Sequence, residues 1–169
     1  MSEAWDRVRR RHQLAAAVLK DVGREGPSVT AAWRGRIDAE YGDDDLSGFL
    51  RDVQAGWNRT FDARLDVVME LGADDLPEAV AEVERLVAEA RPAAGLLLRA
   101  YADHPALAAG DERHRRMVLA ATGVDLHAPR QHHRGTASPR SRRVSRIADL
   151  RRRYAERRRH RAQVVCRAG

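Results

Sequence analysis

Residues 43–71 read DDDLSGFLRDVQAGWNRTFDARLDVVMEL, and this stretch decides the fold. Leu46, Phe49, Leu50, Val53, Trp57, Phe61, Leu65, Val68 and Leu71 recur at intervals of three and four. That is one face of a 3.6-residue helix, sustained too long for a strand. Asp43, Asp44 and Asp45 stand just before it, where carboxylates complement the positive end of the helix dipole and cap its free N–H groups. The triplet lacks the alternating ligands and distal Glu of an EF-hand loop, so capping is the preferred reading over a metal site.

The pattern continues on both sides. Upstream, about residues 3–22 read as helix, with Trp5, Val8, His12, Ala15, Leu19 and Val22 as its apolar stripe. Gly23, Gly26 and Pro27 stop it. Ser28 is placed to cap a shorter helix through Trp33, Ile37 and Tyr41, which Gly42 interrupts. Downstream, Asp75-Leu76-Pro77-Glu78 is a capping box with Pro in the first turn. It opens a helix carrying Leu76, Val80, Val83, Leu86, Val87 and Ala90. Arg91-Pro92 starts the next, with Leu96, Leu97, Leu98 and Tyr101. His104-Pro105 begins a last one through Leu107, Met117, Val118 and Ala121, ending at Gly123.

Alanine is abundant, β-branched residues are sparse, and no stretch alternates with period two. The expected fold is all-α: an antiparallel helical bundle of about six helices with short connections. Burial of the three tryptophans, the two phenylalanines and the Leu/Val stripes is expected to dominate stability, at about 1.5–3 kcal/mol per large side chain.

Near Leu126 the composition changes. Residues 127–141 lack hydrophobic periodicity and read as a flexible linker. The expected organisation is an acidic all-helical domain over 1–126, a linker over 127–141 and a basic C-terminal arm over 142–169. The charge follows this division. Residues 1–127 hold 17 Lys+Arg and 23 Asp+Glu, a net of −6, whereas 128–169 hold 14 Arg against Asp149 and Glu156, a net of +12. Thirty of the 31 basic residues are Arg, with Lys20 the exception. That preference covers the acidic body as well and reads as GC-rich codon usage; it does not account for the clustering.

In the arm, Val144, Ile147, Leu150 and Tyr154 return to helical spacing, surrounded by Arg142, Arg143, Arg146, Arg151, Arg152, Arg153, Arg157, Arg158, Arg159 and Arg161. Like charges at neighbouring helical positions repel, so the arm alone is expected to be mostly coil in water, with helix formation coupled to phosphate binding. These ten arginines are the candidate nucleic-acid-binding residues. Nothing in the arm reads bases: there is no zinc finger or long zipper, and Tyr154 is its one aromatic, so binding is expected to be nonspecific. Rival readings are an inert extension, docking of the arm on an acidic body, and a membrane-surface helix, for which the apolar face is narrow. Arg142-Arg143-Val144-Ser145 also fits a basophilic kinase site, a short pattern that Arg-rich chains match by chance.

The body offers little chemistry. A helix-turn-helix over 28–60 would turn three aspartates toward DNA. Asp111 and His114 share a helix face, yet make only one imperfect copy of the Glu-x-x-His element of a di-iron bundle, and a buried, hydrogen-bonded histidine is the plainer reading of His114 and of His12. Cys166 is the sole cysteine and lies four residues from the end. No Gly-x-Ser-x-Gly elbow or glycine-rich phosphate loop is present. No metal, cofactor or catalytic role is expected, and the cytoplasm is the default location. The leading expectation is a noncatalytic accessory protein that binds nucleic acid or another polyanion through its arm. The alternative is a helical protein-interaction module, with a protein partner or homo-oligomer and an incidental disordered tail. A small ligand- or metal-binding bundle is the third class.

Overall fold

The computed structural model describes residues 3–126, which form six α-helices and, among the described residues, no strand. The helices are α1 (Glu3–Glu25), α2 (Thr30–Tyr41), α3 (Asp45–Glu70), α4 (Leu76–Ala90), α5 (Pro92–Ala100) and α6 (Pro105–Thr122). Single 3-10 turns, Pro27–Val29 and Gly42–Asp44, lead into α2 and α3. The chain divides into units Met1–Ala128 and Pro129–Gly169, and every described residue belongs to the first. The expected linker and arm lie outside the described residues. No described helix is long and apolar enough to cross a membrane.

α3 is the spine. It packs against α2, α4, α5 and α6, while α1 packs against α2 and α5. Its first half enters a core with Leu14, Val18 and Val22 of α1, Ile37 of α2 and Leu97 of α5. Its second half, through Phe61 and Leu65, enters another with Val80, Val83 and Val87 of α4 and Val118 of α6. Trp57 packs against both. The stripe read from residues 46–65 is the buried face, with Leu46, Phe49, Leu50, Val53, Phe61 and Leu65 all buried.

The caps follow the sequence at α4 and depart from it at α2. Asp75 Oδ1 accepts the Glu78 N–H at 3.0 Å, which satisfies one of the free donors at the start of α4. Ser28 caps nothing. The 3-10 turn runs straight into α2, and the Thr30 hydroxyl donates back to the Pro27 carbonyl at 2.8 Å. Asp45 begins α3 with φ +39°, and its Oδ1 accepts the Ser47 N–H at 3.0 Å. Gly48 is obligatory beneath this turn, since a Cβ there would lie 2.7 Å from the Tyr41 ring and 2.9 Å from Asp44 Cβ.

Two helices are rotated relative to expectation. In α1 the buried residues are Leu14, Val18 and Val22, whereas Trp5 is 70% and Val8 50% exposed. His12, expected beside the core, is also exposed. The stripe from Trp5 to Val22 has a 3.5-residue repeat on a 3.6-residue helix. It drifts, so that Trp5 stands about 100° around the axis from Val22. In α6, Met117 and Ala121 face outward, and the inner face is Leu107, His114, Val118 and Thr122. That face mixes polar and apolar residues, so apolar spacing alone mis-sets it.

Candidate nucleic-acid interface

The ten candidate arginines, Arg142 to Arg161, lie outside the described residues. Within them, the charge is unevenly spread. Residues 62–89 hold nine Asp+Glu and only Arg64 and Arg85, a net of −7, so the stretch from the end of α3 through the connection with Asp74 and Asp75 into α4 carries more than the whole negative excess of the body. Helix α1 holds Arg7, Arg9, Arg10, Arg11, Lys20 and Arg24 against Glu3, Asp6, Asp21 and Glu25, a net of +2, the most positive of the six helices.

The arginines of α1 have partners within the fold. Arg7 lies 3.9 Å from Glu3, Arg9 3.1 Å from Asp6 and Arg10 3.2 Å from Glu40 of α2. Arg11 is sequestered: its guanidinium lies 4.3 Å over the Tyr41 ring and donates to the Glu40 carbonyl at 3.4 Å. Tyr41 in turn donates to Asp52 at 2.8 Å, and burial together with that bond raises its phenol above the ordinary value. Arg7, Arg9 and Arg10 remain about half exposed, and pairs of this kind are worth ~0–1 kcal/mol, little enough for another anion to compete.

The start of α3 is no phosphate site. Asp44 pairs with Arg51 at 2.6 Å and Asp45 with Arg34 at 3.2 Å. The Ser47 N–H, followed by Arg34, holds the Asp45 carboxyl below its ordinary value. The helix-turn-helix arrangement would therefore turn fixed negative charge toward a backbone that carries the same sign.

The histidines and carboxylates of the body meet as structural partners. Gln54, buried on α3, donates through Nε2 to the Leu107 carbonyl at 3.0 Å and to Asp111 Oδ1 at 2.7 Å. One turn along α6, His114 Nε2 lies 3.1 Å from Asp62 Oδ1, with its ring edge-to-face on Phe61 at 4.9 Å. His104 caps α6, its Nδ1 accepting the Ala106 N–H at 3.3 Å. Among the described residues no group of three or more His, Cys, Asp or Glu is placed to hold a metal. Asp111 and His114 do share a face, as expected. Their partners Gln54 and Asp62 were missed, although a signal was present: Gln54, Asn58 and Asp62 form a polar i, i+4, i+8 row beside the apolar stripe of α3.

No protein-family model matches the chain, and comparisons with curated proteins and with solved structures find no match.

Proposed function

We propose that the protein is a noncatalytic, cytoplasmic accessory or regulatory protein that binds nucleic acid nonspecifically through the arginines of its C-terminal arm. The observation that carries this is the segregation of charge, −6 over residues 1–127 against +12 over 128–169. A chain that gathered arginine by codon usage alone would spread it evenly. Guanidinium groups fork phosphate oxygens bidentately, and clustered ones release condensed counterions when they bind.

The test is retention on duplex DNA with and without residues 128–169. The two cores are built from residues 14–118, so the shortened chain is expected to keep its helical circular dichroism. The full chain is expected to bind at low salt, with a log–log salt slope of about −7 for duplex if about eight phosphates are neutralised. Loss of the segment should abolish retention; unchanged retention would remove the arm from the account. The second reading, a protein-interaction module, draws on the exposed Trp5 and Val8 of α1. Among the described residues, the other exposed large apolar residues lie on three further helices: Met69 on α3, Leu96 on α5, and Met117 and Leu119 on α6. A dimer in light scattering would favour that reading.

A further inference from the structure

We infer that the outward face of α1 is a second nucleic-acid contact, specific for single strands, in which the Trp5 ring stacks on an unpaired base, Arg9 holds a flanking phosphate and Lys20 holds one a few nucleotides further along. This deepens the nucleic-acid reading without using the arm. Trp33 and Trp57 are packed against the core, whereas Trp5 stands 70% exposed on a well-formed helix. Trp5, Arg9, His12, Gln13, Ala16 and Lys20 follow one another up the same side of α1, and all six are exposed. From Trp5 to Lys20 this face runs about 22 Å, the reach of a few nucleotides of extended strand. The one carboxylate at its edge, Asp6, is already paired with Arg9 at 3.1 Å, in an exposed pair that holds weakly in water.

The choice of occupant follows from charge and shape. α1 carries a net of +2 on a body of net −6, so an anion is favoured here over the rest of the described surface. Aromatic faces with interleaved cations are the means by which proteins hold unpaired bases irrespective of sequence. A duplex keeps its bases stacked and offers the Trp5 ring nothing to stack on. A lipid surface needs a broader apolar face than Trp5 and Val8 provide. A folded protein partner needs a larger apolar patch.

The experiment uses the full chain, a labelled oligo-dT of about 15 nucleotides, a duplex of the same length and phosphatidylserine vesicles. Trp5→Ala is expected to weaken oligo-dT binding about tenfold, to leave duplex binding unchanged, and to abolish quenching of tryptophan emission by oligo-dT. Trp5→Phe should restore most of the affinity, because a flat ring remains. Equal binding by wild type and Trp5→Ala, an equal loss on duplex, or a Trp5-dependent emission shift with vesicles but not with oligo-dT would each overturn the inference. A full chain with the ten arm arginines changed to glutamine separates the two readings. Trp5-dependent quenching that survives this change supports the α1 contact, while duplex retention that survives it removes the arm. Binding lost with the arm arginines and indifferent to Trp5 supports the arm and removes the α1 contact.

Discussion

Gly110 of α6 is a position where a single methyl group should destabilise against the ordinary helical preference. Alanine at an interior helical site is ordinarily better than glycine by about 1 kcal/mol. Here a Cβ would overlap Gln54 Oε1 and lie 2.7 Å from its Cδ, so the amide must leave. Leaving breaks a bond to the Leu107 carbonyl, worth about 1 kcal/mol, and one to the Asp111 carboxylate, worth about 2 kcal/mol. Gly110→Ala is therefore expected to destabilise by about 2 kcal/mol net, a fall in Tm of about 8 °C for a domain of this size. Gln54→Ala empties the space, and on that background Gly110→Ala should stabilise by about 1 kcal/mol. The change of sign between backgrounds, a coupling of about 3 kcal/mol, is the diagnostic result. It is read from urea midpoints of the four proteins by circular dichroism. Stabilisation by Gly110→Ala in the wild-type background would refute the argument that Gln54 is locked between α3 and α6.

Asp75→Ala removes the carboxylate that caps α4 and should cost about 1 kcal/mol by urea denaturation, while Asp75→Ser should recover most of it. Tyr41→Phe loses the hydroxyl that donates to Asp52 and should destabilise by about 1–2 kcal/mol; in the wild type, ultraviolet titration should show one tyrosine ionising well after ordinary phenols. The Glu112 carboxyl is held at about 2, first by its bond to Arg115 and then by Arg116. Because its folded value is depressed, its stabilisation is complete above the unfolded value near 4.5 and fades as pH falls toward 2. Glu112→Gln should flatten the urea midpoint over that window and leave its slope at neutral pH unchanged.

Much of this architecture is legible in the chain because helices announce themselves by local pattern. The stripe from Leu46 to Leu65 has no competing period, and the Asp75 capping box is a four-residue signal that needs no tertiary context. The failures are equally physical. Trp5 and Val8 fit a 3.5-residue repeat as well as Val22 does, and only the supply of neighbours decides which part of a long helix is covered. α5 has nine residues and α2 twelve against the twenty-three of α1, so a stripe of that length outruns either partner. α6 was misaligned because its inner face contains His114 and Thr122, which reach their partners across or along the bundle and so violate a purely apolar reading. Gln54 was passed over for the same reason: a buried amide is recognised by the carbonyl and carboxylate that await it, and both belong to a helix more than fifty residues away. The arm arginines are set apart by charge counting alone, which speaks to the class of partner and not to geometry.

The position of α3 in both cores carries a thermodynamic consequence. Two separate hydrophobic clusters on two separate scaffolds would be free to melt at different temperatures. Here Trp57 touches both, and the helix that carries it would have to fray through its own middle for either to open alone. Amide hydrogens around residues 53–61 are accordingly expected to exchange only when the whole domain opens, and a calorimetric scan should resolve one endotherm where the core map would suggest two.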